Sequence, residues 1–140
     1  LKANDDIVQE MRAAARAAMR NAYCRYSKFR VGAAVLTADG EVFAGCNVEN
    51  ASYGLTSCAE RNAIFQAVAK GALSKDRKLK AVVIVTPKNQ LTPPCGACRQ
   101  VINEFGPNAE VFIFGRGKTG QKIALSKLLP RAFGPLNLGR

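Results

Sequence analysis

At 140 residues, 48% of them hydrophobic and 22% charged, the chain has the length of one domain and enough apolar side chains to bury a core. That apolar content excludes a disordered chain, and no apolar run approaches the roughly 18 residues a membrane span needs. Twenty-one Lys and Arg against ten Asp and Glu give +11, a bias toward polyanions, while the lack of any histidine removes Ser-His and Cys-His nucleophiles and His-ligated zinc.

Residues 5–22 read as an amphipathic helix, with Ile7, Met11, Ala14, Ala15, Ala18 and Met19 inward and Asn4 or Asp5 as N-cap. Arg12, Arg16 and Arg20 recur every four residues, which places them on one face as a basic stripe. A polar, aromatic connection over 21–30 leads to strands at 31–37 and 41–48, joined through Ala38-Asp39-Gly40 as a hairpin. Residues 49–56 read as a loop. A helix over 58–70 follows, capped by Thr56 or Ser57, with Ala63, Ile64, Ala67 and Val68 inward and Gly71 past its end.

The run Ala81-Val82-Val83-Ile84-Val85 suits a central strand covered on both faces. Pro93-Pro94 stops it, and a helix runs from near Gly96 to about Phe105. Strands at 110–114 and 121–125 flank a Gly-rich turn, and 128–133 reads as a terminal helix. The order implies one domain over 1–140: an α/β, three-layer α-β-α sandwich on a mixed five-stranded sheet, with an N-terminal hairpin and a parallel β-α-β-α core.

Three cysteines fall at the starts of two of these helices, Cys58 on one and Cys95 and Cys98 on the next. In a parallel α/β arrangement such helix starts meet at the carboxyl ends of the strands. Three thiolates with no fourth protein ligand in view form a catalytic rather than a structural zinc pattern. Glu60, two residues after Cys58, puts a carboxylate beside the metal without making it a ligand, the place for a proton shuttle. Cys58-Ala59-Glu60 followed by Pro94-Cys95-Gly96-Ala97-Cys98 is the pattern of zinc deaminases, with Cys in place of the more usual first His. An all-thiolate centre carries excess negative charge, which helix N-termini and Arg61, hydrogen-bonded to the thiolates, are expected to offset.

Tyr23 to Ala34, Gly45-Cys46-Asn47-Val48-Glu49-Asn50-Ala51, Cys58-Ala59-Glu60-Arg61, Pro94-Cys95-Gly96-Ala97-Cys98-Arg99-Gln100 and the tail Leu128-Leu129-Pro130 with Phe133-Gly134-Pro135 together resemble the small homotetrameric cytidine deaminases. The resemblance implies one Zn²⁺ per subunit. It also implies hydrolytic conversion of cytidine and deoxycytidine to uridine and deoxyuridine, with ammonia released, for pyrimidine salvage. It implies that a metal-activated hydroxide attacks C4 while Glu60 shuttles protons. Asn47 and Glu49 match residues that bind the ribose 3′-hydroxyl, and Phe29 an aromatic that stacks on the base. Phe133 matches an aromatic contributed by a neighbouring subunit, and Ala51 and Tyr53 approach the ribose 5′-hydroxyl across a subunit boundary. The backbone N–H groups of Ala59 and Cys95 hold the base carbonyl and developing charge. Arg30 and Asn62 stand where Pro and Thr are common, departures expected to leave the catalytic set untouched.

A nucleic-acid deaminase would exploit the basic surface, but the Cys first ligand and the Asn47, Glu49 and Phe133 set favour a free nucleoside. Deaminases of cytosine-bearing antibiotics lack the Asn-x-Glu-Asn-Ala segment, and a zinc-ribbon module would need a fourth ligand. Cys24 and Cys46 read as buried or interface thiols. Asp5, Asp6 and Glu10 interrupt the N-terminal segment, so no secretory signal is visible, and a cytoplasmic enzyme without membrane attachment is expected.

Overall fold

The computed structural model describes residues 5–140, so Asn4, offered as a cap, lies outside the described residues. Five strands form one sheet in the order β2-β1-β3-β4-β5. They are β1 (Gly32–Thr37), β2 (Val42–Cys46), β3 (Leu79–Val85), β4 (Glu110–Phe114) and β5 (Gly120–Ala124). β1 runs antiparallel to both β2 and β3, β3 and β4 are parallel, and β4 and β5 are antiparallel. β2, β3 and β4 therefore point the same way, and their carboxyl ends open on one edge of the sheet. The expected mixed sheet is present, although β1 separates the two strands that precede the cysteine-bearing helices.

The alternation along β3 makes the three layers. Ala81, Val83 and Val85 pack with Val8, Met11 and Ala15 of α1 (Asp5–Met19) on one face. Val82 and Ile84 pack on the other with Ala63, Ile64 and Ala67 of α2 (Ala59–Ala69) and Ile102 of α3 (Gly96–Phe105). Each of the Val, Ile and Met side chains among them contributes roughly 1.5–3 kcal/mol on leaving water. β3 is thus the buried central strand its continuous apolar run foretold.

Several expectations are corrected. α1 ends at Met19 instead of 22, and Asp5 lies within the helix instead of capping it. The basic stripe is broken at Arg12, which is buried. Arg12 Nη2 donates to the Gly117 carbonyl at 2.6 Å, and the guanidinium lies 4.4 Å from the Phe114 ring centre. A periodicity of four drifts around a 3.6-residue helix, so Arg12 reaches the apolar edge while Arg16 and Arg20 stay exposed. Val68, expected inward on α2, is 40% exposed.

The cap of α2 is Cys58 itself, not Thr56 or Ser57, and Cys95 caps α3; neither thiol makes a side-chain capping hydrogen bond. A Ser or Thr hydroxyl would satisfy a free helix N–H, so the usual cap preference is overridden where the side chain is needed elsewhere. The last helix is also shifted: α4 spans Leu125–Leu128 and a 3-10 turn spans Pro135–Leu138, in place of a helix over 128–133. Pro130 forces the preceding residue out of helical geometry, and Leu129 takes φ −139, ψ 70. A further 3-10 turn, Tyr53–Leu55, interrupts the loop before α2. Among the described residues, no helix is long and apolar enough to cross a membrane.

Candidate metal centre and its cleft

Two helix N-termini converge at the carboxyl edge of the sheet. Their caps, Cys58 and Cys95, and Cys98 in the first turn of α3 bring three sulfurs within 4.8 Å of one another, with Cys58 Sγ and Cys95 Sγ 3.8 Å apart. Cys98 is buried, Cys58 half-buried and Cys95 exposed, so the cluster has a dry side and an open side. Arg61 Nη2 donates to Cys58 Sγ at 3.3 Å, as the charge argument required. Hydrogen bonding from Cys98, followed by that from Arg61 against the opposing effect of burial, lowers the Cys58 thiol to about 5. Donation to Cys58, then burial, raises the Cys98 thiol above its usual range. The Arg61 guanidinium is held charged chiefly by Cys58, and its buried Nε has no hydrogen-bond partner.

Soft thiol donors at this spacing, with one thiol already biased to the thiolate and a cation behind them, fit zinc. Glu60 fits as well. It is 5% exposed in the first turn of α2, and burial is the main cause raising its carboxyl to about 7. A carboxylate in that environment is poised to hold or release a proton near neutral pH.

The cluster lies at one end of a cleft of about 300 Å³, the size of a small-molecule site. Cys58, Ala59, Glu60 and Cys95 line it together with Phe29, Asn47 and Glu49. The cleft continues past Glu49 into a second depression walled by Tyr26, Asn50 and Tyr53, whose Tyr rings lie 5.9 Å apart.

Asn47 and Glu49 are both spent partly on the chain itself. Asn47 is buried; its Oδ1 accepts from Val31 N at 2.9 Å and its Nδ2 donates to Phe29 O at 2.8 Å, clasping the residues on either side of Arg30. Glu49 Oε1 accepts from Tyr26 N and Ser27 N at 3.0 Å each, and Oε2 from Ser27 Oγ. Donation by Ser27 holds the Glu49 carboxyl below its usual range. Together they fix the loop that presents Phe29 to the cleft.

Not every expected site residue gathers here. Ala51 is exposed and lines neither depression, and Phe133, 58% exposed, faces a different groove beside Phe65 and Phe105. Phe133 is nonetheless fixed through its carbonyl, which accepts from Gln100 Nε2 at 2.9 Å and Asn103 Nδ2 at 3.4 Å. Sequence reasoning missed Ser27, whose hydroxyl holds Glu49 and accepts from Phe29 N at 3.1 Å. It also missed Arg99, which donates to Pro94 O and Leu128 O and so braces the segment leading into Cys95. Only the position of Ser27 between Tyr26 and Phe29 hinted at the first.

Residues 6–114 match the family model described as the cytidine and deoxycytidylate deaminase zinc-binding region. The chain belongs to the cytidine and deoxycytidylate deaminase family. The matched span contains Glu60 and all three clustered cysteines; the Phe133 tail lies beyond it. Within the family, the chain is 47% identical over 117 residues to a cytidine deaminase of Halalkalibacterium halodurans, covering 83% of this chain and 86% of the relative. It is 43% identical over 131 residues to a probable cytidine deaminase of Dictyostelium discoideum, covering 93% and 86%. The crystal structure of cytidine deaminase from Burkholderia pseudomallei superposes with a TM-score of 0.83 at 46% identity, covering 89% of this chain and 98% of that one. That of Mycobacterium tuberculosis gives 0.77 at 38%, covering 95% and 100%. The mixed sheet and its helices are the architecture of these enzymes.

Proposed function

We propose that this chain catalyses the hydrolytic deamination of cytidine and deoxycytidine to uridine and deoxyuridine, releasing ammonia, with one zinc ion per subunit. The observation that carries this reading is a buried carboxyl, Glu60, lining a nucleoside-sized cleft with Cys58 and Cys95 of a three-thiol cluster. Family membership and the cytidine deaminase relatives support it.

Cys58, Cys95 and Cys98 would hold the zinc, which when bound would supply Lewis acidity that makes a water nucleophilic at neutral pH. Glu60 takes the first proton that water gives up and passes it to N3 of the ring, then takes the remaining proton from the new hydroxyl at C4 and passes it to the departing amino group. Its burial keeps the returned proton held until the leaving group needs it. Arg61 spreads the negative charge of the thiolates. The N–H groups of Ala59 and Cys95 receive the base carbonyl. Phe29 stacks on the base, and the free capacity of Asn47 and Glu49 holds the ribose 3′-hydroxyl. Ultraviolet difference spectroscopy of cytidine with the zinc-loaded protein, with ammonia measured in parallel, tests the reading. Loss of the cytidine band with stoichiometric ammonia is expected; an unchanged spectrum with folded, metallated protein overturns it.

The finer assembly belongs to the same reading: a cytoplasmic homotetramer in pyrimidine salvage, in which Phe133, Ala51 and Tyr53 complete a neighbour's site. The exposed Phe133, anchored through its carbonyl to α3 and absent from the lining of its own cleft, supports that arrangement. Sedimentation should give four times the subunit mass, and Phe133→Ala should raise KM for cytidine roughly tenfold or more, the loss of a buried aromatic contact. A monomer with an unchanged KM defeats the assembly and leaves the chemistry standing.

A further inference from the structure

Asn62, expected to stand clear of the catalytic set, touches both of its edges. Asn62 Nδ2 donates to Cys46 O at 2.7 Å and to Ser57 O at 3.3 Å, and its Oδ1 accepts from Ser57 Oγ at 2.7 Å. Both amide hydrogens and the carbonyl are used. Cys46 is the residue before Asn47, at the end of β2, and Ser57 is the residue before Cys58. Between them, Val48 and Ser57 exchange both backbone hydrogen bonds at 2.9 Å each. One side chain in the first turns of α2 therefore joins the segment carrying Asn47 and Glu49 to the segment carrying the first thiol.

We infer that Asn62 is a positioning residue that fixes the separation between the 47–49 edge and the thiol cluster, and so couples recognition of the sugar 3′-hydroxyl to reaction at C4. The inference rests on the proposed reading that Asn47 and Glu49 hold the ribose. A nucleoside gripped at both ends reacts well only if the two grips lie the right distance apart, and a 1 Å error costs on the order of 100-fold. A Thr at this place has one hydroxyl proton and a shorter reach, so it can serve only one of the two carbonyls that Asn62 serves.

The test compares kcat/KM for cytidine and 3′-deoxycytidine in the wild-type zinc enzyme and in Asn62→Leu. The wild type should lose about 30-fold when the 3′-hydroxyl is absent, a hydrogen bond to a charged group. Asn62→Leu should lose about 30-fold on cytidine and less than about threefold on 3′-deoxycytidine, collapsing the discrimination while zinc content stays at one per subunit. Asn62→Thr, which keeps one donor in the same helix, should show the same selective loss at intermediate size, and it serves if the leucine variant fails to fold. Equal losses on both substrates in the soluble variant overturn the inference and leave Asn62 a packing residue. A wild type that does not discriminate the two substrates removes the ribose reading itself, and the inference with it.

Discussion

Glu60→Gln should bind zinc as the wild type does and lose about 10³-fold in kcat, with KM for cytidine changed only a few-fold. Glutamine keeps the volume and most hydrogen bonds of a side chain that is 5% exposed, so the first turn of α2 has no reason to unfold. What it removes is the ability to take and return a proton, worth about 10²–10⁴ for a positioned acid–base group. Metal analysis beside steady-state kinetics separates loss of zinc from loss of proton transfer. A pH profile carries a second signature. Glu60 must be ionised to accept a proton, and burial raises its carboxyl to about 7. A bound dication beside it pulls that value down, so wild-type kcat/KM should fall on an acid limb below pH 7. In Glu60→Gln the residual rate should lack that limb. A variant with full zinc and near wild-type turnover would place the proton transfers elsewhere.

The pattern Cys-x-Glu with Pro-Cys-x-x-Cys was legible because its parts are local: each sits within one helix start, and helix starts in such sheets converge. The central strand was legible for a similar reason, since five apolar residues in a row admit few other placements. Arg12 was not. Its burial depends on Phe114 and Gly117, about a hundred residues away, and no periodicity within α1 announces them. The cysteine caps were misjudged because cap preference is a local energy of about 1 kcal/mol, which a zinc-site geometry outweighs. Asn47 and Glu49 were found through their motif, but the bonds that tie them to residues 26–31 are contacts between loops, visible only once folded. Asn62 shows the limit best: a substitution that looked peripheral in sequence stands between the two working edges because β2 and α2 touch there.

That contact yields the second large effect. Gly45→Ala should lower stability by roughly 2–3 kcal/mol, a drop in Tm on the order of 10 °C, and should reduce zinc occupancy and turnover together. A Cβ at residue 45 would lie 2.6 Å from Ala63 N and 2.9 Å from Ala59 O, both backbone atoms of α2. Backbone cannot swing aside as a side-chain tip can, so the added methyl must push β2 and α2 apart. The displaced turn is the one whose cap is Cys58 and whose second residue is Glu60, and it also carries Asn62. Overpacking here therefore strains the thiol cluster, the proton carrier and the tie to Cys46 at once. At Gly40, by contrast, a Cβ would meet nothing within 4 Å, although its φ of +88 disfavours alanine, so Gly40→Ala should cost about 1 kcal/mol while leaving zinc and kcat unchanged. Thermal melts and metal analysis of the two variants side by side distinguish a site built on close helix–strand contact from one that tolerates its loss. Equal zinc and equal kcat in both would mean that α2 can move without carrying the site with it.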